Sequence, residues 1–259
     1  MILRRWWMAE AALRHEEERG IHYLGMDHGP NALDVALMEA LRARLDRLRE
    51  AGAPPLVLTS AHPTLFSPGW DLKALVGAER EQVASTLRLF ESLVLDLFSY
   101  PAPTAAAIGG HAVAGGCLLA LTCDLRVMAT GPSRLGLAEL NLGVPVPAGS
   151  LLMLRSRLDP SAVEELVLRG DGFTAERARD VGLVHRVAGP DEVASVSGRE
   201  LAKLASKPLH AYAATKSFLY ADTWRDMERR DADVEDSFLE CWFEEETRRR
   251  LDEVARSLS

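Results

Sequence analysis

The chain has 259 residues, enough for one large domain or for a domain with an appendage. Its 47% hydrophobic content suits an ordinary globular core. Thirty basic against 38 acidic residues give a net charge of −8, without the clustered basic surface a nucleic-acid footprint needs.

The N-terminus carries Arg4 and Arg5 but no apolar stretch, and Glu10, Glu16, Glu17 and Glu18 follow too early for a transit peptide. The expected location is cytoplasmic. Residues 11–14 and 21–25 read as two short strands around a polar turn. Residues 31–52 read as a helix, because Leu33, Leu37, Leu41, Leu45 and Leu48 recur at steps of three or four. Asp34 is its expected N-cap and Gly52 its stop. The apolar run 56–59 reads as a buried strand. A loop with Pro63 and Pro68 follows, and FSPGWDL leads into a helix start. Val83, Leu87, Phe90, Val94 and Leu97 mark a long amphipathic helix.

Residues 105–129, AAAIGGHAVAGGCLLALTCDLRVMA, read as a strand, a glycine turn, a short helix and another strand. The helix starts at or just after Ala114, Gly115 and Gly116. N–H groups at a helix start have no intrahelical partner, and glycine lets a ligand approach the backbone. Such a turn can hold a developing negative charge, such as an oxyanion. A membrane span does not fit: the segment is Ala/Gly-rich, contains His111 and closes on Asp124 without basic anchors on both sides.

Downstream lie LGLAELNLG and a Pro-rich loop at 144–148. Asp159 and Pro160 start a helix that Gly170 ends, and Thr174 starts another that ends at Gly182. Residues 183–187 read as a strand. From Pro190 the pattern is mostly helical, with a helix at 209–220 and a long charged one from Ala232. TRRR at 247–250 follows three glutamates and reads as a solvated face. Phe238, Leu239, Trp242 and Phe243 form an apolar stripe on that last helix. The stripe is expected to be a subunit contact; packing on the chain's own core is the other reading. Alternating strands and helices define an α/β fold with an all-helical C-terminal region. The expected division is a core over 1–190 and a helical region over 191–259. Cys117, Cys123 and Cys241 cannot all pair, sit in apolar settings and read as buried thiols; Cys117 and Cys123 lack metal-ligand spacing.

Four stretches in order resemble the crotonase (enoyl-CoA hydratase/isomerase) superfamily and cover most of the chain. They are PNALDVALMEAL, LVLTSAHPTLFSPGWDLKAL, PTAAAIGGHAVAGGCLLALTCDLRVMA, and LGLAELNLGV followed by DGFTAERARDVGLVHRV. Within that superfamily AGGCLLALTCDLRVMA, GLAE and RDADVEDSF are most similar to mitochondrial-type Δ3,Δ2-enoyl-CoA isomerases. The resemblance implies a spiral of ββα units, a helical C-terminal trimerisation region and a homotrimer or hexamer. It implies an acyl-CoA substrate whose coenzyme A belongs to the substrate, so that no separate cofactor is expected; with the charge, segment and cysteine readings above, no metal, membrane or nucleic-acid partner is expected either. By motif, the backbone N–H groups of Trp70 and Gly115 would hold the thioester oxygen. Trp70 departs from the small or aliphatic residue usual there; its indole either narrows the pocket or packs under the loop. Hydratases of the family use two glutamates; here the first position is Leu118 and the second Glu139. One carboxylate is sufficient to move a proton from C2 to C4, so the resemblance implies a 3-enoyl-CoA to 2-enoyl-CoA isomerase with Glu139 as base. Gly116, Leu118 and Lys73 are the expected substrate contacts, Lys73 toward the nucleotide phosphates or else a solvated lysine. Asp71 and Asp124 read as a cap and a turn residue, His111 as a satisfied turn histidine, and Asn141 as a pocket or turn residue. Two other readings remain: a different single-carboxylate reaction (thioester hydrolysis, decarboxylation or weak hydration) and a non-catalytic acyl-CoA-binding protein.

Overall fold

The computed structural model describes residues 5–6, 12–229 and 232–257. The first expected strand includes Ala11, which lies outside them, as do Arg4 and Glu10. Strands β1 (Arg5–Trp6), β2 (Leu13–Glu18) and β3 (Ile21–Met26) are antiparallel neighbours. Helix α1 (Val35–Glu50) follows, capped by Asp34. Then come β4 (Leu56–Ser60), β5 (Leu65–Ser67), α2 (Leu72–Leu75) and α3 (Arg80–Phe98). The glycine-rich segment gives β6 (Thr104–Ile108), β7 (His111–Val113), α4 (Gly115–Thr122) and β8 (Leu125–Ala129). Beyond it run β9 (Leu135–Gly136), α5 (Glu139–Leu142), α6 (Ala148–Arg157), α7 (Pro160–Arg169), α8 (Ala175–Asp180) and β10 (Arg186–Ala188). Helices α9 (Val193–Ala205), α10 (Leu209–Glu228), α11 (Ala232–Phe243) and α12 (Glu245–Ser257) complete the chain.

The strands form a seven-stranded sheet, β1-β2-β3-β4-β6-β8-β10, and a three-stranded sheet, β5-β7-β9. From β3 to β10 the large sheet is parallel, and so is the small one. One unit recurs three times along the chain, a large-sheet strand, a small-sheet strand and helix: β4-β5-α2, β6-β7-α4 and β8-β9-α5. This is the ββα repeat that the resemblance implies.

Side chains alternate across a strand, so each strand serves two cores. Leu56, Leu58, Ala106 and Ile108 face the main core, where Leu37, Leu41 and Leu45 of α1 meet Phe90 and Val94 of α3. Val57, Ala105, Ala107 and Val127 face the other way, against Val193 and Leu201 of α9. Burying one such leucine contributes about 1.5–3 kcal/mol.

The C-terminal helices differ from expectation in two respects. The single long helix from Ala232 is two, α11 and α12. The apolar stripe does not wait for a second copy: Phe238, Leu239 and Trp242 are buried within this chain against Leu75, Val83, Leu87 and Val144. TRRR is not wholly a solvated face either. Thr247 is buried on Gly143, and Arg248 and Arg250 donate to the carbonyls of Val76 and Asn141, while Arg249 pairs with Glu246 and Glu253. Among the described residues no helix is long and apolar enough to cross a membrane. Cys117 and Cys123 are buried free thiols, Cys241 a partly buried one.

Candidate active site

The parallel small sheet sets the geometry. Trp70 stands three residues past the end of β5, Gly115 two past β7, and Glu139 three past β9. The carboxyl ends of neighbouring parallel strands lie on one side of a sheet, so all three residues gather there. The two backbone turns are alike. Gly69, before Trp70, has φ +94°, and Ala114, before Gly115, has φ +50°, a conformation uncommon for a residue with a side chain. The turns abut: a Cβ on Gly69 would lie 3.0 Å from Ala114 Cβ and 3.1 Å from the Gly115 nitrogen. Bonds on either side are taken. Leu33 N–H donates to Gly69 O at 2.8 Å, and Ala114 N–H to Gly136 O at 2.9 Å. The N–H groups of Trp70 and Gly115 find no backbone acceptor among the described residues. Gly115 heads α4, whose dipole adds positive potential there.

Trp70, Lys73, Gly115 and Glu139 line one cavity of about 830 Å³. Among the described residues three carboxylates reach it, and two are tied to other work. Asp34 accepts from the Leu37 N–H and from His28 Nε2, each at 2.8 Å. Asp71 caps α2, accepting from the N–H groups of Lys73 and Ala74. Glu139 differs: it is 8% exposed, and its buried Oε2 has no hydrogen-bond partner among the described residues. Burial pushes its carboxyl up from 4.5 to about 7, against the pull of the N–H groups of Glu139 and Ala138. A buried carboxyl near neutrality can both take and return a proton.

Two expected contacts lie elsewhere. Gly116 does not line the cavity; it lets α4 close on β5, since a Cβ there would sit 2.2 Å from Ser67 O. Leu118 is fully buried in the main core and does not line the cavity. In a helix, positions three apart share a face, and the cavity takes only the head of α4. His111 is satisfied, its Nδ1 accepting from the Arg134 N–H, but it opens strand β7 rather than standing in a turn. Asn141 lines the cavity yet donates from Nδ2 to Gly170 O, joining α5 to the end of α7. Asp124 is more than a turn residue: its largely buried carboxylate, 11% exposed, accepts from Thr104 N–H and from Lys216 Nζ at 2.9 Å, tying α10 to the core. Lys216 and Arg157 hold its carboxyl below the usual range although burial opposes them.

Sequence reasoning missed the apolar wall. Phe90, Leu142 and Val144 line the cavity with Phe238, Trp242 and Leu251 from the C-terminal helices. The stripe spacing of Phe238 and Trp242 was the available signal, but it pointed equally to a subunit contact. Among the described residues no group of three or more His, Cys, Asp or Glu side chains stands where it could hold a metal ion.

The fold, the paired turns and the lone buried glutamate define a class. The model of the enoyl-CoA hydratase/isomerase family matches residues 16–254, and the chain belongs to that family, within the crotonase superfamily. Two relatives of different activity are about equally similar to it. Human mitochondrial enoyl-CoA delta isomerase 1 is 32% identical over 208 residues, 79% of this chain and 69% of that protein. Mouse mitochondrial methylglutaconyl-CoA hydratase is 31% identical over 201 residues, 76% of this chain but only 64% of the relative's length. The crystal structure of human mitochondrial Δ3-Δ2-enoyl-CoA isomerase superposes with a TM-score of 0.90 at 26% identity, covering 95% of this chain and 98% of that one.

Proposed function

We propose that the protein isomerises 3-enoyl-CoA to 2-enoyl-CoA by moving one proton from C2 to C4 through Glu139. The observation that carries this reading is Glu139, the one buried carboxylate among the described residues that line the cavity, with an oxygen that no hydrogen bond reaches, in the same cavity as the Trp70 and Gly115 N–H groups, which find no backbone acceptor. In the proposed reaction the Glu139 carboxylate takes a C2 proton. The electron pair moves toward the thioester oxygen, giving a dienolate, and Trp70 and Gly115 N–H donate to that oxygen. A donor placed there is worth about 2.7–4 kcal/mol of barrier. The neutral Glu139 acid then protonates C4, and the double bond is left between C2 and C3. The carboxylate is restored, and no water or cofactor is consumed.

Leu118 supports isomerisation over hydration. The family resemblance puts it where hydratases have their first glutamate, and as a leucine it brings no acid to hold water. Exposed Lys73, at the cavity edge on α2, is assigned to the coenzyme A phosphates. The same reading includes a cytoplasmic homotrimer or hexamer. Its support is not the buried stripe but Phe218 and Leu219 on α10, which are 84% and 68% exposed.

The test is a substrate panel with purified protein, following conjugated 2-enoyl thioester by absorbance and free thiol by titration. The expected result is conjugation without thiol release. Thiol release at a comparable rate would replace isomerisation by hydrolysis.

A further inference from the structure

Trp70 is where the oxyanion turn, the cavity and the C-terminal helices meet. Its indole lines the cavity, and three ring centroids surround it: Phe90 at 5.7 Å, Trp242 at 5.8 Å and Phe238 at 5.9 Å. Phe90 comes from α3 and reaches under Gly115, where an added Cβ would lie 3.2 Å from its Cε2. Phe238 and Trp242 come from α11 and stack on each other at 6.2 Å. Trp70 packs against both the main core and the cluster beneath α11. At 4.5–7 Å, ring centroids are in packing contact, so the four rings close a continuous surface. Trp70, whose backbone N–H is assigned above to the thioester oxygen, is part of that surface. Among the described residues no lysine or arginine lines the buried part of the cavity to pair with a charged acyl tail; Lys73 is exposed.

We propose that the Trp70 indole is the wall that sets how long an acyl chain the site accepts, with Phe238 and Trp242 holding it in place. This rests on the acyl-CoA reading above. One residue thus has two separable parts. Its backbone is pinned by the Leu33 N–H to Gly69 O bond at 2.8 Å and the Asp71 N–H to Leu33 O bond at 3.5 Å, neither of which involves the side chain. Truncating the indole removes the wall and leaves the backbone turn.

The test measures binding of saturated acyl-CoAs, which carry no double bond and do not react. The series runs from butanoyl- through hexanoyl-, octanoyl- and decanoyl- to dodecanoyl-CoA, titrated calorimetrically into wild type, Trp70→Ala and Trp70→Leu. In wild type, affinity rises by about fourfold per added methylene while chains still find apolar surface, then stops rising where the tail meets the indole. Trp70→Ala moves that break to longer chains and raises the dodecanoyl-to-butanoyl affinity ratio on the order of tenfold. Trp70→Leu shifts it in the same direction by less, and serves alone if the alanine variant does not fold. An unchanged break in a folded variant overturns the proposal. Wild-type binding with no turnover of 3-enoyl-CoA removes the isomerase reading and leaves the wall standing; a wild type that binds none of the series overturns both.

Discussion

Burial gives Glu139 a basicity suited to the proposed proton transfer and also makes it costly to ionise. The pocket side of that trade is tested by Glu139→Gln, which keeps the shape and removes the base. Acyl-CoA affinity is expected to stay within a few-fold while turnover falls by about 10²–10⁴-fold. Retention of more than half the wild-type rate in purified variant contradicts the assignment. The base must be ionised, so kcat/KM is expected to rise with pH through about 7 and level off above it. A flat profile between pH 6 and pH 8, a range taken around that value, contradicts the role. The same shift has a stability consequence of opposite sense. The folded carboxyl holds its proton up to about 7, whereas the unfolded one releases it near 4.5. Between those values the folded state binds more protons, so stability falls as pH rises through that window. The full cost above it is up to about 3 kcal/mol. Glu139→Gln removes the cost, so its melting temperature should gain on wild type as pH is raised from 5 to 8; a pH-independent difference contradicts this linkage.

The elements were legible in proportion to their length and their cap chemistry. Helix α1 could be read because Leu37, Leu41, Leu45 and Leu48 share a face and Asp34 is its cap, although it starts at Val35 and Leu33, the first leucine of the pattern, pairs with Trp70 ahead of the cap; in the fold Asp34 Oδ1 accepts from Leu37 N–H at 2.8 Å. Thr174 and Gly170 marked helix ends for the same reason, Thr174 accepting from Arg177 N–H and Gly170 adopting φ +68°. Strands β7 and β9 were not legible. They have three and two residues, too few to show alternation, and they pair with partners distant in sequence. The threefold ββα repeat is therefore visible only in the sheet order, and with it the reason that Trp70, Gly115 and Glu139 converge. Helix α6 was passed over because Pro145 and Pro147 read as loop, although Pro147 sits at its N-cap, where proline costs no helical bond. The paired turns give a test at this scale. Gly69→Ala adds side-chain strain at φ +94° and a Cβ 3.0 Å from Ala114 Cβ. It is expected to cost about 1–3 kcal/mol in thermal unfolding and to lower turnover by displacing Gly115. Gly77→Ala, with nothing within 4 Å, is the control and should be neutral. Equal effects of the two would contradict the packed-turn account.

For the whole molecule, the C-terminal helices are a roof over this chain's own cavity as much as a tail. Helix α11 contributes Phe238 and Trp242, while Thr247 of α12 bonds the Gly143 carbonyl at 3.3 Å just past α5. The sequence showed the stripe but not which surface covers it, because complementarity between Trp70 and Trp242 is a property of two segments far apart in the chain. Two variants separate the roof from assembly. Trp242→Asp buries a charge among rings and should lower the melting temperature and acyl-CoA affinity together. Phe218→Asp with Leu219→Asp, on the exposed face of α10, should reduce the mass seen by light scattering while leaving the monomer folded. A wild-type monomer at micromolar concentration would contradict the assembly, and an unaltered melting temperature in Trp242→Asp would contradict the roof.

The measurement that bears most directly on the account compares two reactions in one preparation, isomerisation of a 3-enoyl-CoA and hydration of the matching 2-enoyl-CoA. With one working carboxylate, isomerisation is expected to be faster by on the order of 10²-fold or more. Comparable rates would mean that a second acid acts in the cavity, Asp71 or Asp34 being the ones that reach it, and that the single-carboxylate mechanism is wrong.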